Sequence, residues 1–287
     1  MEEKTVQEFH NAYIKADKNS LDRLWNEAAP RSLVKFYSGK YETNGTNYLL
    51  DSISNNTVWL SSPRFFNDPF DCVINIDYNL EAEKISQRIL KNRFGEDVAQ
   101  CLLSYDGSAE VLSQIAEYLK KQNEGRLLYL ENSIYVTCFS EKDNLKSLRM
   151  WAHYANNHSG VCVEYDFNTV NSVSPFACIP VKYTDTYEYL LNTNDISEDV
   201  ANYMKFFTKA KEWEHEKEWR VAEKNEILNI KGYSVSISLP VAVYLGCKVS
   251  PKLKKDVISM CNGKNIPIYQ MKMNSGTFQL RYDLVKN

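Results

Sequence analysis

Apolar positions in the first thirty residues recur at helical spacing, with Val6, Phe9, Tyr13 and Ile14 followed by Leu21, Leu24 and Trp25 up to a break at Pro30. They predict an N-terminal helical arm over residues 1–30. Ser32–Tyr37 then reads as a strand, 47–53 as a short helix and 57–61 as a second strand, followed by a loop over 62–72. Two amphipathic stretches, about 80–104 and 108–130, predict a helical insertion over residues 78–131. From residue 133 short strand patterns return at 134–139, 160–165 and 177–183, with helices near 146–155 and 196–214. The closing part alternates strands at 219–222, 233–239, 241–245, 266–271 and 277–282 with a helix near 251–261. Short connections between adjacent strands favour an α+β class with a mixed, mainly antiparallel sheet over a doubly wound parallel one.

Composition narrows the picture. With 287 residues, 44% of them hydrophobic and 25% charged, the chain is globular, and disorder, collagen and coiled coil are excluded. The length fits one catalytic domain over 1–287 with the arm and insertion as parts of it. No apolar run is long enough for a membrane span, and Met1-Glu-Glu-Lys lacks the order of a secretory signal, so a cytoplasmic location with no membrane partner is expected. Seven scattered cysteines read as reduced core residues, and with four histidines no metal site is expected. The net charge of −3 conceals an asymmetry: residues 227–287 hold nine Lys and Arg against two Asp, leaving −10 for the remainder. The cluster Lys252, Lys254 and Lys255 would either solubilise a helix or receive a polyanion such as RNA, or an acidic inhibitor or antitoxin protein.

Three segments carry candidate chemistry. In Ser62-Pro-Arg-Phe-Phe-Asn-Asp-Pro-Phe-Asp71, Asn67 and Asp68 either build a turn before Pro69 or line an aromatic-walled pocket. On a helix beginning near Ser147, Trp151 and Tyr154 share a face that serves either as core or as a stacking surface for a flat heterocycle, with His153 off that line. In Trp213-Glu-His-Glu-Lys-Glu-Trp-Arg220 a helical pattern passes into a strand, so Glu216 and Glu218 would point to one side and Lys217 and Trp219 to the other. Two neighbouring carboxylates can divide roles, one ionised to stabilise positive charge and one activating a nucleophile.

Leu33–Tyr37, Trp59–Cys72, Thr137–Glu141, Met150–Ala155 with Gly160-Val-Cys162, and Glu216–Arg220 together resemble the recurrent blocks of a bacterial family, domain of unknown function twenty-nine seventy-one. The order of elements also resembles the split, mostly antiparallel sheet of ADP-ribosyltransferases. That second resemblance implies NAD as substrate. Lys35 or Tyr37 would stand at its first-strand position, Thr137-Cys-Phe-Ser140 at its middle motif and Glu216-Lys-Glu218 at its Glu-x-Glu motif. Lys35 replaces the usual Arg or His, and Thr-Cys-Phe-Ser the usual Ser-Thr-Ser. On this mapping Glu218 stabilises the developing ribose cation and Glu216 contacts or activates the acceptor. Trp151 and Tyr154 enclose nicotinamide, Ser140 supports the ribose and carboxylate, Asn67 and Asp68 bind cofactor or acceptor, and Arg220 helps shape the NAD site.

The expected function is therefore an ADP-ribosyltransferase-like enzyme acting on a nucleic acid such as RNA, or on a protein, in a bacterial toxin, toxin–antitoxin or anti-phage defence setting. One alternative is a metal-dependent nuclease using Asp68, Asp71, Glu216 and Glu218 with Lys217 near the scissile phosphate. The other is a non-enzymatic nucleotide- or partner-binding module.

Overall fold

The computed structural model describes residues 1–73, 77–105, 107–173, 178–185 and 205–285. Helices α1 (Glu3–Ile14) and α2 (Lys18–Ala28) lead into strand β1 (Ser32–Tyr37), helix α3 (Tyr48–Asn55) and strand β2 (Thr57–Ser61). Helices α4 (Tyr78–Phe94), α5 (Glu96–Leu103) and α6 (Ser108–Ser133) separate this unit from β3 (Ile134–Glu141). Then come α7 (Leu148–Tyr154), β4 (Val161–Asp166), α8 (Phe167–Asn171) and the short strands β5 (Ile179–Pro180), β6 (Lys182–Thr184) and β7 (Thr208–Ala210). The last part holds β8 (Glu218–Lys224), β9 (Gly232–Ser236), β10 (Ala242–Leu245), α9 (Pro251–Asn262), β11 (Ile268–Met273) and β12 (Leu280–Leu284).

The class is α+β. Ten of the described strands form one sheet in the order β12-β11-β10-β4-β1-β3-β2-β9, with β8 pairing both β3 and β5. Its ladders are antiparallel except β10–β11, where α9 supplies the crossover that a parallel pair needs. Strand β3 is the hub. One of its edges pairs β8 from Ile134↔Lys224 to Ser140↔Glu218. Its other edge is shared: β2 joins at Val136, while β1 joins at Glu141 and Ser140. Beyond Val34, β1 leaves β3 and follows β4 as far as Tyr37↔Val161. The sheet thus opens between β1 and β3, and backbone and side chains at that opening must find other partners.

Side-chain alternation loads both faces of the sheet. Leu33, Phe139, Val163, Tyr165 and Trp219 lie in one core cluster with Phe9 of α1. Phe9 and Phe167 each meet Trp219 edge-on at 5.4 and 5.3 Å, a favourable geometry for aromatic quadrupoles. The predicted N-terminal arm is therefore a packed layer: its helices are present, but Phe9 is fully buried, His10 Nε2 bonds the Pro180 carbonyl and Trp25 Nε1 donates to the Cys178 carbonyl. The opposite face buries Val34, Trp151, Cys162, Tyr244, Met271 and Leu280.

Two helix boundaries differ from the periodicity reading. The stretch 80–104 is two helices, because Gly95 takes φ +85° and ends α4 with its N–H on the Lys91 carbonyl. Of the helix expected over 196–214, residues 196–204 lie outside the described residues, and 205–216 form two 3₁₀ turns around β7. Ala177 also lies outside them, and the rest of that strand divides into β5 and β6. No helix among the described residues is long and apolar enough to cross a membrane.

Gly160 joins α7 to β4, where a Cβ would stand 2.2 Å from the Tyr37 carbonyl oxygen and 2.9 Å from the Ala155 backbone. Backbone atoms cannot retreat as a flexible side chain can. Gly160→Ala should therefore destabilise the protein by about 1–3 kcal/mol in urea unfolding; an unchanged midpoint would refute the close approach.

Candidate active site

Arg220 is the third residue of β8 and fully buried. Its Nη1 and Nη2 grip Asp71 through two bonds of 2.8 and 2.7 Å, and its Nε and Nη2 donate to Glu218 at 2.9 and 3.1 Å. Nη1 also reaches the Phe206 carbonyl at 2.8 Å. The guanidinium is thus satisfied by fork geometry rather than by water. Lys209 of β7 is the second cation, its ammonium 2.6 Å from Glu216, 3.3 Å from Glu218 and 3.5 Å from Asp71. The Trp213 ring lies 5.1 Å from that ammonium. Among these five groups three carboxylates face two cations.

Glu216 and Glu218 converge, but not by strand alternation. Glu216 ends a 3₁₀ turn and Lys217 adopts a left-handed conformation, φ +45° and ψ +54°, before β8 begins at Glu218. That kink swings both carboxylates onto Lys209 while Trp219 goes to the core and Lys217 stays outside, facing Asp143. A left-handed non-glycine residue is costly, and here the flanking bonds hold it. Asn144 donates to the Glu216 carbonyl at 2.5 Å, and the Glu218 N–H donates to the Tyr183 hydroxyl at 2.8 Å.

The two carboxyls titrate in opposite directions. Burial alone would raise Glu218, but the Arg220 guanidinium and the Lys209 ammonium outweigh it and bring it down to about 2. Burial and the neighbouring Glu218 carboxylate push Glu216 upward, against the hydrogen bonds from Lys209 and Tyr154. Tyr154 donates to Glu216 at 2.5 Å, and burial with that carboxylate raises its own phenol. Opposed shifts in adjacent groups are a signature of divided acid–base roles.

These groups line a cleft of about 170 Å³ at the opening between β1 and β3. A dry cavity of roughly 150 Å³ holds one benzene ring, so this cleft admits a single ring rather than a whole dinucleotide. Val34, Lys35 and Phe36 all line it although they alternate along β1, as happens where a cavity meets a strand at its edge. Lys35 turns into the gap and donates to Thr137 Oγ1 at 2.9 Å and the Cys138 carbonyl at 3.1 Å. Burial lowers its amine pKa, offset in part by Glu218. Asn67, Asp71, Ser140, Met150, Tyr154, Lys209, Glu216, Glu218 and Arg220 complete much of the wall.

Residues 150–221 match the family model described as Protein of unknown function (DUF2971). Over that stretch the chain is similar to this family. The DUF2971 segment runs from α7 into β8 and contributes Tyr154, Lys209, Glu216, Glu218 and Arg220, whereas Lys35, Asn67, Asp71 and Ser140 come from outside it. Neither a curated protein nor a solved structure matched the chain.

Of the expected site residues, Lys35, Asn67, Ser140, Tyr154, Glu216, Glu218 and Arg220 meet at the cleft. Three do not. Trp151 is fully buried, donates Nε1 to the Leu145 carbonyl and meets Phe36 edge-on, so it is core rather than a stacking surface. Tyr37 packs against the main core, since β1 has already left the opening there. Asp68 accepts from the Phe70 N–H at 2.9 Å and serves the turn, while Asp71 supplies the carboxylate of this loop. Lys209 was not anticipated: its segment reads as helix, and only its place between Phe207 and Trp213 hints at burial.

The nuclease set therefore loses Asp68, and the space among Asp71, Glu216 and Glu218 is taken by the Lys209 ammonium. Among the described residues no group of three or more His, Cys, Asp or Glu is arranged to hold a metal. Lys252 lies over the Tyr41 ring at 3.9 Å and Lys254 donates to Gln270, so within the basic cluster Lys255 is the exposed lysine that has no such contact among the described residues.

Removing Arg220 would strand two buried carboxylates. Arg220→Met should cost about 3–5 kcal/mol in denaturant unfolding, and Arg220→Lys should recover part of it by restoring charge without the fork. Because the folded Glu218 carboxyl is depressed to about 2 from 4.5, its stabilisation is present above pH 4.5 and is lost as pH falls toward about 2. Acid unfolding followed by circular dichroism should be shallower across that window in Glu218→Gln; an identical slope would contradict the assignment.

Proposed function

We propose that this protein is an ADP-ribosyltransferase-like enzyme that takes NAD as substrate and moves ADP-ribose to a macromolecular acceptor, either a nucleic acid or a protein. The observation that carries the reading is the pair Glu216 and Glu218, driven apart in pKa, at a ring-sized cleft where the sheet opens. One ring fits the space, which suits nicotinamide with its ribose at the mouth and the rest of the dinucleotide outside.

On this reading the ribose C1′–N bond breaks and its electron pair leaves with nicotinamide. C1′ then carries positive charge, which the ionised Glu218 stabilises. The acceptor's nucleophilic atom bonds to C1′ and gives its proton to Glu216, whose raised basicity suits it to receive one. Tyr154 positions Glu216 through its hydroxyl, Ser140 stands beside Glu218 across the β3–β8 ladder, and Lys35, held on Thr137 and the Cys138 carbonyl, borders the same cleft. Asn67, on the loop that also carries Asp71, is available to the carboxamide or the acceptor. The same proposal extends to a role as a bacterial toxin or defence effector, with RNA among the candidate acceptors.

Incubation with NAD carrying labelled ADP-ribose, then separation of RNA, DNA and protein fractions, should show nicotinamide release and label in one fraction. Glu218→Gln should lower the rate by roughly 10²–10³-fold with the fold retained. Tyr154→Phe should lower it less and shift its pH profile. An inert wild type in cell lysate would defeat the proposal.

A further inference from the structure

Strand β12 lies at one end of the main sheet, with β11 on its inner side. In an antiparallel ladder the backbone groups of successive residues point alternately to opposite sides. The Val285 N–H reaches the Ile268 carbonyl at 2.8 Å, so Arg281 and Asp283 bond inward with it, in the register Arg281↔Lys272 and Asp283↔Gln270. Leu280, Tyr282 and Leu284 therefore direct their N–H and C=O groups to an edge that pairs with no other strand among the described residues. Such an edge is a template for another strand.

The sequence on that edge is nearly its own mirror: Leu280-Arg-Tyr-Asp-Leu284. We propose that β12 pairs antiparallel with β12 of a second copy of this chain about a two-fold axis at Tyr282. This register sets Tyr282 against its own counterpart and Leu280 against Leu284 of the second copy, so the three residues with outward backbone groups exchange bonds with each other. It also sets Arg281 against Asp283 of the second copy, twice by symmetry, and opposite charges directly across a ladder are stabilising.

Both faces of the extended sheet are then consistent. One carries a row of Met273, Leu280 and the second copy's Leu284 beside a row of Met271 and Tyr282; the other carries Lys272, Arg281 and the second copy's Asp283. Met273 and Leu284 are 72% and 57% exposed in the single chain, so the pairing covers apolar surface. A one-residue shift would oppose inward-bonding to outward-bonding residues and lose both the charge match and the ladder.

Sedimentation of the intact chain over a range of concentrations should show a monomer–dimer equilibrium. Arg281→Asp alone and Asp283→Arg alone each place like charges across the axis and should weaken dimerisation by about tenfold. The combined R281D/D283R chain should regain it. Tyr282→Cys should give a covalent dimer on mild oxidation, above any formed by the wild type, because a hydrogen-bonded pair has its Cα atoms about 5.5 Å apart. A wild type that stays monomeric at all concentrations would overturn the inference, as would a dimer indifferent to both single charge reversals.

Discussion

A fully buried guanidinium dictates much of what surrounds it. Arg220 cannot be left unpaired out of water, and its fork points in fixed directions, so a carboxylate must meet it edge-on from the loop after β2 and another from its own strand. Asp71 and Glu218 meet those needs. Two carboxylates beside one guanidinium, with Glu216 close by, call for a second cation, and Lys209 is drawn into the cluster from a segment that would otherwise read as helix. The 3₁₀ turns around β7, the left-handed Lys217 and the Tyr183 bond to the Glu218 N–H all serve that electrostatic requirement. Local propensity yields there to the cost of an unpaired buried charge.

The cleft depends on a second constraint, the sharing of one edge of β3 by β1 and β2. A fully paired β1–β3 ladder would close the sheet and seal the carboxylates. Because β1 turns away after Val34, Lys35 reaches into the gap and satisfies the Cys138 carbonyl, a group a regular ladder would have bonded. Side chains of strands that never touch one another can then face one small volume.

Much of this was legible from residue patterns. The alternation of Ser32–Tyr37, Ile134–Phe139 and Trp219–Ala222 identified three of the strands that frame the site, and the run from Glu216 to Arg220 located its charged centre. What escaped was set by distant partners. Trp151 and Tyr154 share one helical spacing, yet their fates differ because Phe36 covers the first and Glu216 waits for the second. Asp68 and Asp71 are alike in composition and neighbourhood, but a Pro-bounded turn consumes one and Arg220 claims the other. Periodicity reports which side a residue faces and not what stands there. The left-handed Lys217 has no sequence signal, since Gly, Asn or Asp would be the usual occupant.

The ion cluster spans a long stretch of chain, Asp71 and Arg220 being 149 positions apart. A ribosome delivers Lys35 and Asp71 well before it delivers the cations and carboxylates they need. Contacts of such sequence separation carry a larger loop-closure cost than the local contacts of helices and hairpins. A nascent or truncated chain that ends before residue 220 lacks β9 to β12 and has no assembled charge cluster, and any activity seated there begins only when synthesis has passed β8.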